Sequence, residues 1–186
     1  MELTPALASH LTKAQSHLTH LPGLYELYRT CFASTCETTA KLLAGGEAFV
    51  FTGDIPAMWL RDSSAQVRHY LPLAGEDTQL QALLEGLISR QAKYICIDPY
   101  ANAFNENPDN SRWDEDETVL TPWTWERKYE TDSLCYPVWL AWSYARGRRG
   151  RLQHGTQRVV RLGRLPRGDL PLRHGPRQGL LRPHFV

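Results

Sequence analysis

Three segments of the chain concentrate aromatic, charged and amide side chains of the kinds that bind ligands or take part in catalysis. The first, residues 52–64, reads TGDIPAMWLRDSS and sets Trp59 beside Arg61 and Asp62 where a loop enters a predicted helix. An indole ring can stack on the apolar face of a sugar ring. A carboxylate accepts, and a guanidinium donates, the paired hydrogen bonds that neighbouring hydroxyl groups make. This composition therefore points to recognition of a polyol.

Spacing alone also permits a purely structural interpretation of the same segment. Asp62 or Ser63 has the chemistry of a helix N-cap. Arg61 could pair with Asp54, and Trp59 could be a core residue. Both interpretations stay open at this level.

Two later segments offer weaker candidates. Residues 98–105 read DPYANAFN, in which Asn102 and Asn105 could offer amide hydrogen bonds to hydroxyl groups, although asparagine is equally at home in turns. Residues 125–134 read WERKYETDSL, and such alternating charges are typical of a solvated helix face or a cap. The acidic run at 114–117 is typical of an exposed surface.

Metal-free glycoside hydrolysis needs at least a pair of carboxylates, one acting as acid and one as base. The chain has carboxylates in excess, and spacing cannot select a pair. It lacks the G-x-S-x-G, P-loop and G-x-G-x-x-G patterns of other enzyme classes. Its four cysteines form no C-x-x-C pair and no zinc-type spacing, so we predict neither a metal nor a cofactor.

Hydrophobic periodicity predicts one helix after another and no strand-rich sheet, which defines an all-α class. Residues 52–62 and 98–131 lack this period and are predicted to be loops, ordered by their aromatic content. The predicted elements are a helix from Thr4-Pro5 to about Leu21, a helix from Leu24 towards Leu42 that Gly45-Gly46 ends, an extended run at 48–51, a helix from Asp62 or Ser63 towards Pro72, a helix after Asp77, and a helix over 132–144 with Pro137 in its first turns.

The formal net charge of +1 conceals two dissimilar parts of the 186-residue chain. Residues 1–145 contain 10 Lys and Arg against 19 Asp and Glu. Residues 146–186 contain 11 Arg, no Lys and a single acid, Asp169. We therefore predict a domain over 1–145 and a separate tail over 146–186.

The tail composition permits several interpretations. Its arginines could attract nucleic acid, and its composition could be that of a disordered segment. Its glycines and prolines disfavour a helix. GC-rich codons read out of frame encode Arg, Gly, Pro and Leu but not Lys. The absence of Lys beside 11 Arg therefore favours an out-of-frame or disordered tail over a nucleic-acid-binding arm.

The hydropathy of the chain and its first residues predict the cellular location of the protein. No apolar run approaches the ~20 residues that a membrane span needs. The first residues, MELTP, show no charged start followed by an apolar stretch. We expect a cytoplasmic protein without membrane association.

The three segments together resemble glycoside hydrolase family 125, the metal-independent exo-α-1,6-mannosidases. The resemblance rests on TGDIPAMWLRDSSAQV at 52–67, DPYANAFN at 98–105 and WERKYETDSLCYP at 125–137, which occur in the family's order. It covers about residues 4–145. It implies the N-terminal part of an (α/α)6 barrel and an inverting attack of water on a terminal α-mannoside, without metal.

The resemblance also implies a division of the site. The residues that would face an α-mannoside oligosaccharide are Trp59, Arg61 and Asp62. The residues that would support this site are Asn102, Asn105 and the segment at 127–132. The family's members are much longer, and their general acid and base lie in the later part, so no catalytic residue is assigned here. The alternatives are a non-catalytic carbohydrate-binding fragment, another (α/α)6 glycosidase specificity and, from the tail alone, a nucleic-acid binder.

Overall fold

The computed structural model describes residues 1–148. The predictions of an out-of-frame or disordered tail and of nucleic-acid attraction fall almost entirely outside the described residues. The last described helix runs to Arg148, past the boundary predicted at 145.

Five α-helices form about half of the described part. Thr4 caps the first helix as predicted, with its Oγ1 accepting from the Leu7 N–H at 3.4 Å. Asp77 caps the fourth helix through Oδ1, while its Oδ2 accepts from the Ala6 N–H of the first, at 3.3 Å. The helices are α1 (Pro5–His17), α2 (Pro22–Ser34), α3 (Leu60–Val67), α4 (Thr78–Ile97) and α5 (Thr131–Arg148).

The described part is helix-rich, as predicted, but two small antiparallel sheets correct the all-α assignment. One pairs two strands, and the other has three strands in the order β3-β4-β5. The strands are β1 (Ala40–Leu42), β2 (Ala48–Val50), β3 (Met58–Trp59), β4 (Ala103–Phe104) and β5 (Thr124–Glu126).

The prediction that the second helix continues towards Leu42 is wrong. A π-helical turn at Thr35–Thr39 ends α2, and the chain becomes extended at Ala40. β-Branched threonines lose side-chain freedom in a helix, which weakens the run TCETT. Gly45 and Gly46, both at φ 78°, then turn the chain from β1 into β2. The extended run predicted at 48–51 is confirmed as β2.

The core lies around α4, whose predicted apolar face is confirmed. Leu80, Leu83, Leu84 and Leu87 are fully buried. Gly86 lets β2 cross this helix closely, because a Cβ there would lie 2.8 Å from the Ala48 nitrogen. The structure also places Pro137 in the second turn of α5.

The long loop after α4 is ordered by a buried arginine. Arg90 is only 3% exposed; its Nη1 lies 2.6 Å from Glu47 Oε2, and its Nη2 donates to the Glu106 carbonyl. Its Nε donates to the Tyr94 hydroxyl at 2.7 Å, and its guanidinium lies 5.8 Å from the centre of the Trp123 ring. The segment predicted as a loop over 98–131 therefore is ordered and tied to the central helix, but it also contains β4 and β5, which corrects the prediction.

None of the helices within residues 1–148 is long and apolar enough to cross a bilayer.

Candidate substrate-binding site

The first turn of α3 brings charged side chains against the first turn of α5. Arg61 Nη1 lies 2.9 Å from Asp132 Oδ2 and 3.9 Å from Glu130 Oε2. Its Nε lies 3.6 Å from Asp62 Oδ2. This group of four residues is the ionic cluster of the site. The pairing of Arg61 with Asp54, which the sequence also permitted, is not the one formed.

Two members of the ionic cluster, Arg61 and Asp132, have pKa values displaced towards their charged forms. The hydrogen bond to Asp132 raises the pKa of Arg61, and the same bond lowers the pKa of Asp132. The four side chains are between 33% and 45% exposed. One guanidinium and three carboxyl groups thus stand together at the protein surface, where they can donate to and accept from adjacent hydroxyl groups.

The backbone that carries Arg61 and Asp62 is held by distant residues rather than by a side-chain cap. The Trp59 N–H donates to Thr52 Oγ1 at 3.2 Å, and the Leu60 N–H donates to the Asn102 carbonyl at 3.0 Å. The helix begins at Leu60, and its N-cap residue, Trp59, makes no side-chain hydrogen bond to the free N–H groups of the first turn. The predicted caps at Asp62 and Ser63 are therefore wrong.

Beside the ionic cluster lies an indole-lined cavity of about 700 Å³. Three tryptophans contribute to its wall: Trp59 is half-buried, Trp125 is buried and Trp113 is 80% exposed. Gly53, at φ 62°, forms the turn that brings Asp54 to the opening. The cavity is lined by Asp54, Ile55, Pro56, Trp59, Trp113, Trp125, Glu126 and Lys128.

Glu126 is the most tightly fixed carboxylate of this cavity. Asn102 Nδ2 donates to its Oε2 at 2.8 Å, and Lys128 Nζ donates to its Oε1 at 2.7 Å. Burial raises the pKa of Glu126, but the hydrogen bonds from Lys128, Asn102 and Trp59 outweigh burial and lower it. The Lys128 ammonium is also attracted by Glu130, which links the cavity to the ionic cluster.

Asn102 and Asn105 lie behind the opening. Each is 1% exposed. Besides its bond to Glu126, Asn102 accepts through Oδ1 from the Lys128 N–H at 3.1 Å. Asn105 Nδ2 donates to the carbonyl oxygens of Ser111 and Pro122 at 2.8 and 3.1 Å. Asn102 therefore reaches the cavity through Glu126, whereas Asn105 shapes the loop.

Sequence reasoning did not single out Trp113 and Glu126 of the cavity, and it reached Lys128 only within the supporting segment at 127–132. The alternating charges of WERKYETD contained two of them, but such charges are usually solvated. Trp113 lies in a stretch without hydrophobic periodicity. Only its residue type, an aromatic that can stack on a sugar, could have indicated a role in binding. Within residues 1–148, no group of three His, Cys, Asp or Glu side chains is arranged to hold a metal ion.

The ionic cluster and the indole-lined cavity lie in the part of the chain that matches a known family. Residues 22–161 match the family described as metal-independent alpha-mannosidase (GH125). The chain belongs to this family.

Two relatives support the assignment. The chain is 37% identical over 133 residues to the meiotically up-regulated gene 157 protein of Schizosaccharomyces pombe, a match that spans 65% of this chain and 26% of the yeast protein. It also resembles a solved metal-independent alpha mannosidase of Streptococcus pneumoniae, in a non-productive complex with alpha-1,6-mannobiose. That likeness has a TM-score of 0.76 and 38% identity, over 84% of this chain and 37% of the bacterial one. The chain thus spans well under half of either relative.

Proposed function

We propose that this chain is the N-terminal part of a glycoside hydrolase that releases non-reducing terminal α-1,6-linked mannose without a metal. In this proposal the five helices are the first part of an (α/α)6 barrel. The ionic cluster and the indole-lined cavity form one wall of its mannoside site. A cytoplasmic location and the absence of nucleic-acid and membrane partners remain predictions of the sequence.

The observation that carries this proposal is the contact between two family-like segments beside the indole-lined cavity. Arg61 of TGDIPAMWLRDSS and Asp132 of WERKYETDSL meet at 2.9 Å, beside a cavity with three indoles. Trp59 would stack on a sugar ring, while Arg61 and Asp62 would hydrogen-bond its hydroxyl groups. Asn102 would act by holding Glu126, and Asn105 by holding the loop.

We also propose that the chain alone does not hydrolyse its ligand. A general acid that protonates the glycosidic oxygen needs a raised pKa. Every described carboxyl group with a displaced pKa is displaced downward, and in Glu126 the displacement keeps a cavity carboxylate ionised. These groups are Asp77, Asp109, Asp116, Glu126 and Asp132. None of these five groups therefore has the raised pKa of a general acid, and a second candidate function is sugar binding without catalysis.

The test is saturation-transfer NMR of the purified 186-residue chain with α-1,6-mannobiose, with cellobiose as the control disaccharide. A parallel assay follows free mannose. We expect saturation transfer to the mannobiose alone and no mannose release. Absence of transfer would contradict a mannoside site in this part of the protein, and release of mannose would contradict the proposed lack of turnover.

A further inference from the structure

Behind the first turn of α3 lies a buried polar group that the proposed function does not use. Gln91 of α4 is 0% exposed, as are Ser63 and Ser64 of α3. Gln91 Nε2 lies 2.8 Å from Ser63 Oγ and 2.9 Å from Ser64 Oγ. It also lies 3.3 Å from the Leu60 carbonyl oxygen. We call these three side chains the buried polar triad.

The Leu60 carbonyl is where the triad converges. Ser64 Oγ donates to it at 2.8 Å and Ser63 Oγ at 3.3 Å, in addition to the contact from Gln91. The N–H of the same residue is held by Asn102. The backbone of Leu60 is therefore fixed from α4 and from the loop, immediately before Arg61.

Core stability alone does not explain this arrangement. Burying hydroxyl and amide groups costs free energy, and apolar side chains of the same shape can replace a buried hydrogen-bonded set with little loss. In addition, Gln91 Oε1 is buried without a hydrogen-bond partner among the described residues. Polar networks in a core specify one arrangement of the elements they join.

The arrangement specified here is the rotation of α3. Leu60, Ser63, Ser64 and Val67 form its buried stripe, whereas Arg61 and Asp62 lie partly exposed on the other side. Successive residues of a helix are about 100° apart, so a small rotation would carry Arg61 away from Asp132. Apolar side chains would permit such a rotation more readily than paired hydrogen bonds, because only the latter are directional.

We propose that Gln91 is a positioning residue of the mannoside site: through Ser63, Ser64 and the Leu60 carbonyl it fixes the turn that presents Arg61 and Asp62 to the sugar. The part concerning the sugar rests on the proposed function. The part concerning Arg61 and Asp132 does not, so the two can fail separately.

The test substitutes Gln91→Met, which keeps the length of the side chain and removes its amide. Two quantities are measured by NMR on the whole chain: the affinity for α-1,6-mannobiose and the pKa of the Asp132 carboxyl group. We expect about a tenfold loss of affinity, the effect of one hydrogen bond to a charged group. We also expect the Asp132 pKa to rise towards its ordinary 3.8 as contact with Arg61 weakens.

Ser64→Ala provides a second, smaller change should Gln91→Met not fold, and the same two shifts are expected with reduced size. Leu80→Ala is the matched control, because it removes core packing from the opposite end of the same helix. It should lower the unfolding temperature and leave both quantities unchanged. If the triad variants behave like Leu80→Ala, the positioning role is wrong. If the unmodified chain binds no mannobiose, the proposed function fails, and the Asp132 pKa alone decides the role of Gln91.

Discussion

Arg61 Nη1 lies 2.9 Å from Asp132 Oδ2, although 71 positions separate the two residues in the chain. Each stands in the first turn of its helix, α3 or α5. A carboxylate at a helix N-terminus is stabilised by the helix dipole, so Asp132 suits its place even without Arg61. The pair therefore joins two helix N-termini whose local structure already positions these side chains. Both groups remain exposed enough to contact a ligand.

Replacement of Arg61 tests whether this pair serves binding rather than stability. Arg61→Ala should lower the affinity for α-1,6-mannobiose by about tenfold or more, because a charged hydrogen-bond donor is lost. The unfolding temperature should change little, since exposed ion pairs contribute little to stability. Titration calorimetry and thermal unfolding measure the two effects.

Arg29→Ala is the matched control for Arg61. Arg29 forms a similarly exposed pair with Glu37 on another surface, at 3.4 Å. Its loss should leave both the affinity and the unfolding temperature unchanged. Equal affinities in the two variants would mean that Arg61 does not contact the sugar.

Trp113 tests the indole-lined cavity. Its side chain is 80% exposed, so Trp113→Ala should not affect folding, but it removes one wall of the cavity. We expect a loss of up to about tenfold in mannobiose affinity, the scale of one aromatic contact. Trp142→Ala removes another exposed tryptophan, 54% exposed and outside the cavity lining, and should bind like the unmodified chain. Equal losses in both variants would indicate non-specific adsorption to exposed indoles.

Arg90 tests what orders the long loop. Arg90→Met should lower the free energy of unfolding by about 3 kcal/mol, because Glu47 and the Glu106 carbonyl lose a buried cation. Urea unfolding followed by tryptophan fluorescence measures the change. Lys93→Met is the control: Lys93 contacts the same Glu47 at 3.3 Å but is 39% exposed, so a much smaller change is expected. Similar losses in the two variants would contradict the role given to Arg90.

His69 makes stability depend on pH. Its Nε2 lies 3.0 Å from the Phe32 carbonyl oxygen, and burial lowers its pKa below 6.5, with a smaller effect of the same sign from His10. The unfolded chain therefore binds the proton more readily than the folded one. This contribution to stability is complete above pH 6.5 and is lost as the pH falls through the lowered pKa, by at most about 1.4 kcal/mol per pH unit.

Urea unfolding between pH 5 and about pH 8, the range in which histidine titrates, measures this dependence. His69→Gln, which can still donate a hydrogen bond to Phe32 but does not titrate, should flatten the curve. His20→Gln, at an exposed position of the loop after α1, should leave it unchanged. A slope that persists in His69→Gln would assign the dependence to another group.

The helices with caps and regular apolar spacing could be predicted from sequence. α1 and α4 begin directly after their N-caps, Thr4 and Asp77, because these side chains accept hydrogen bonds from free N–H groups of the first turn, which is a local effect. The small sheets could not be predicted, since strands of two or three residues contain no recognisable alternation. Met58 pairs with Phe104, and this pairing forms only when α4, which lies between them in the sequence, brings β4 next to β3. The start of α3 was misplaced for the same reason, because the carbonyl of distant Asn102 satisfies its Leu60 N–H.

The candidate site divides in a similar way. The residue types around Trp59, Arg61 and Asp62 indicated sugar recognition, because stacking and paired hydrogen bonds require those groups. The partner of Arg61 could not be read, since five carboxylates in its own and the later charged segment were equally available by spacing: Asp54, Asp62, Glu126, Glu130 and Asp132. Asn102 was chosen for its amide, yet that amide is buried against Glu126, and burial is decided by tertiary packing.

The most direct measurement is an NMR titration of the isotopically labelled chain with α-1,6-mannobiose, followed through the indole N–H signals of the six tryptophans. Signals of Trp59, Trp113 and Trp125 should shift saturably with one common affinity, while that of Trp142 stays in place. This result would locate the sugar in the indole-lined cavity beside Arg61. Signals that do not move, or that all move without saturation, would contradict a mannoside site in this part of the protein.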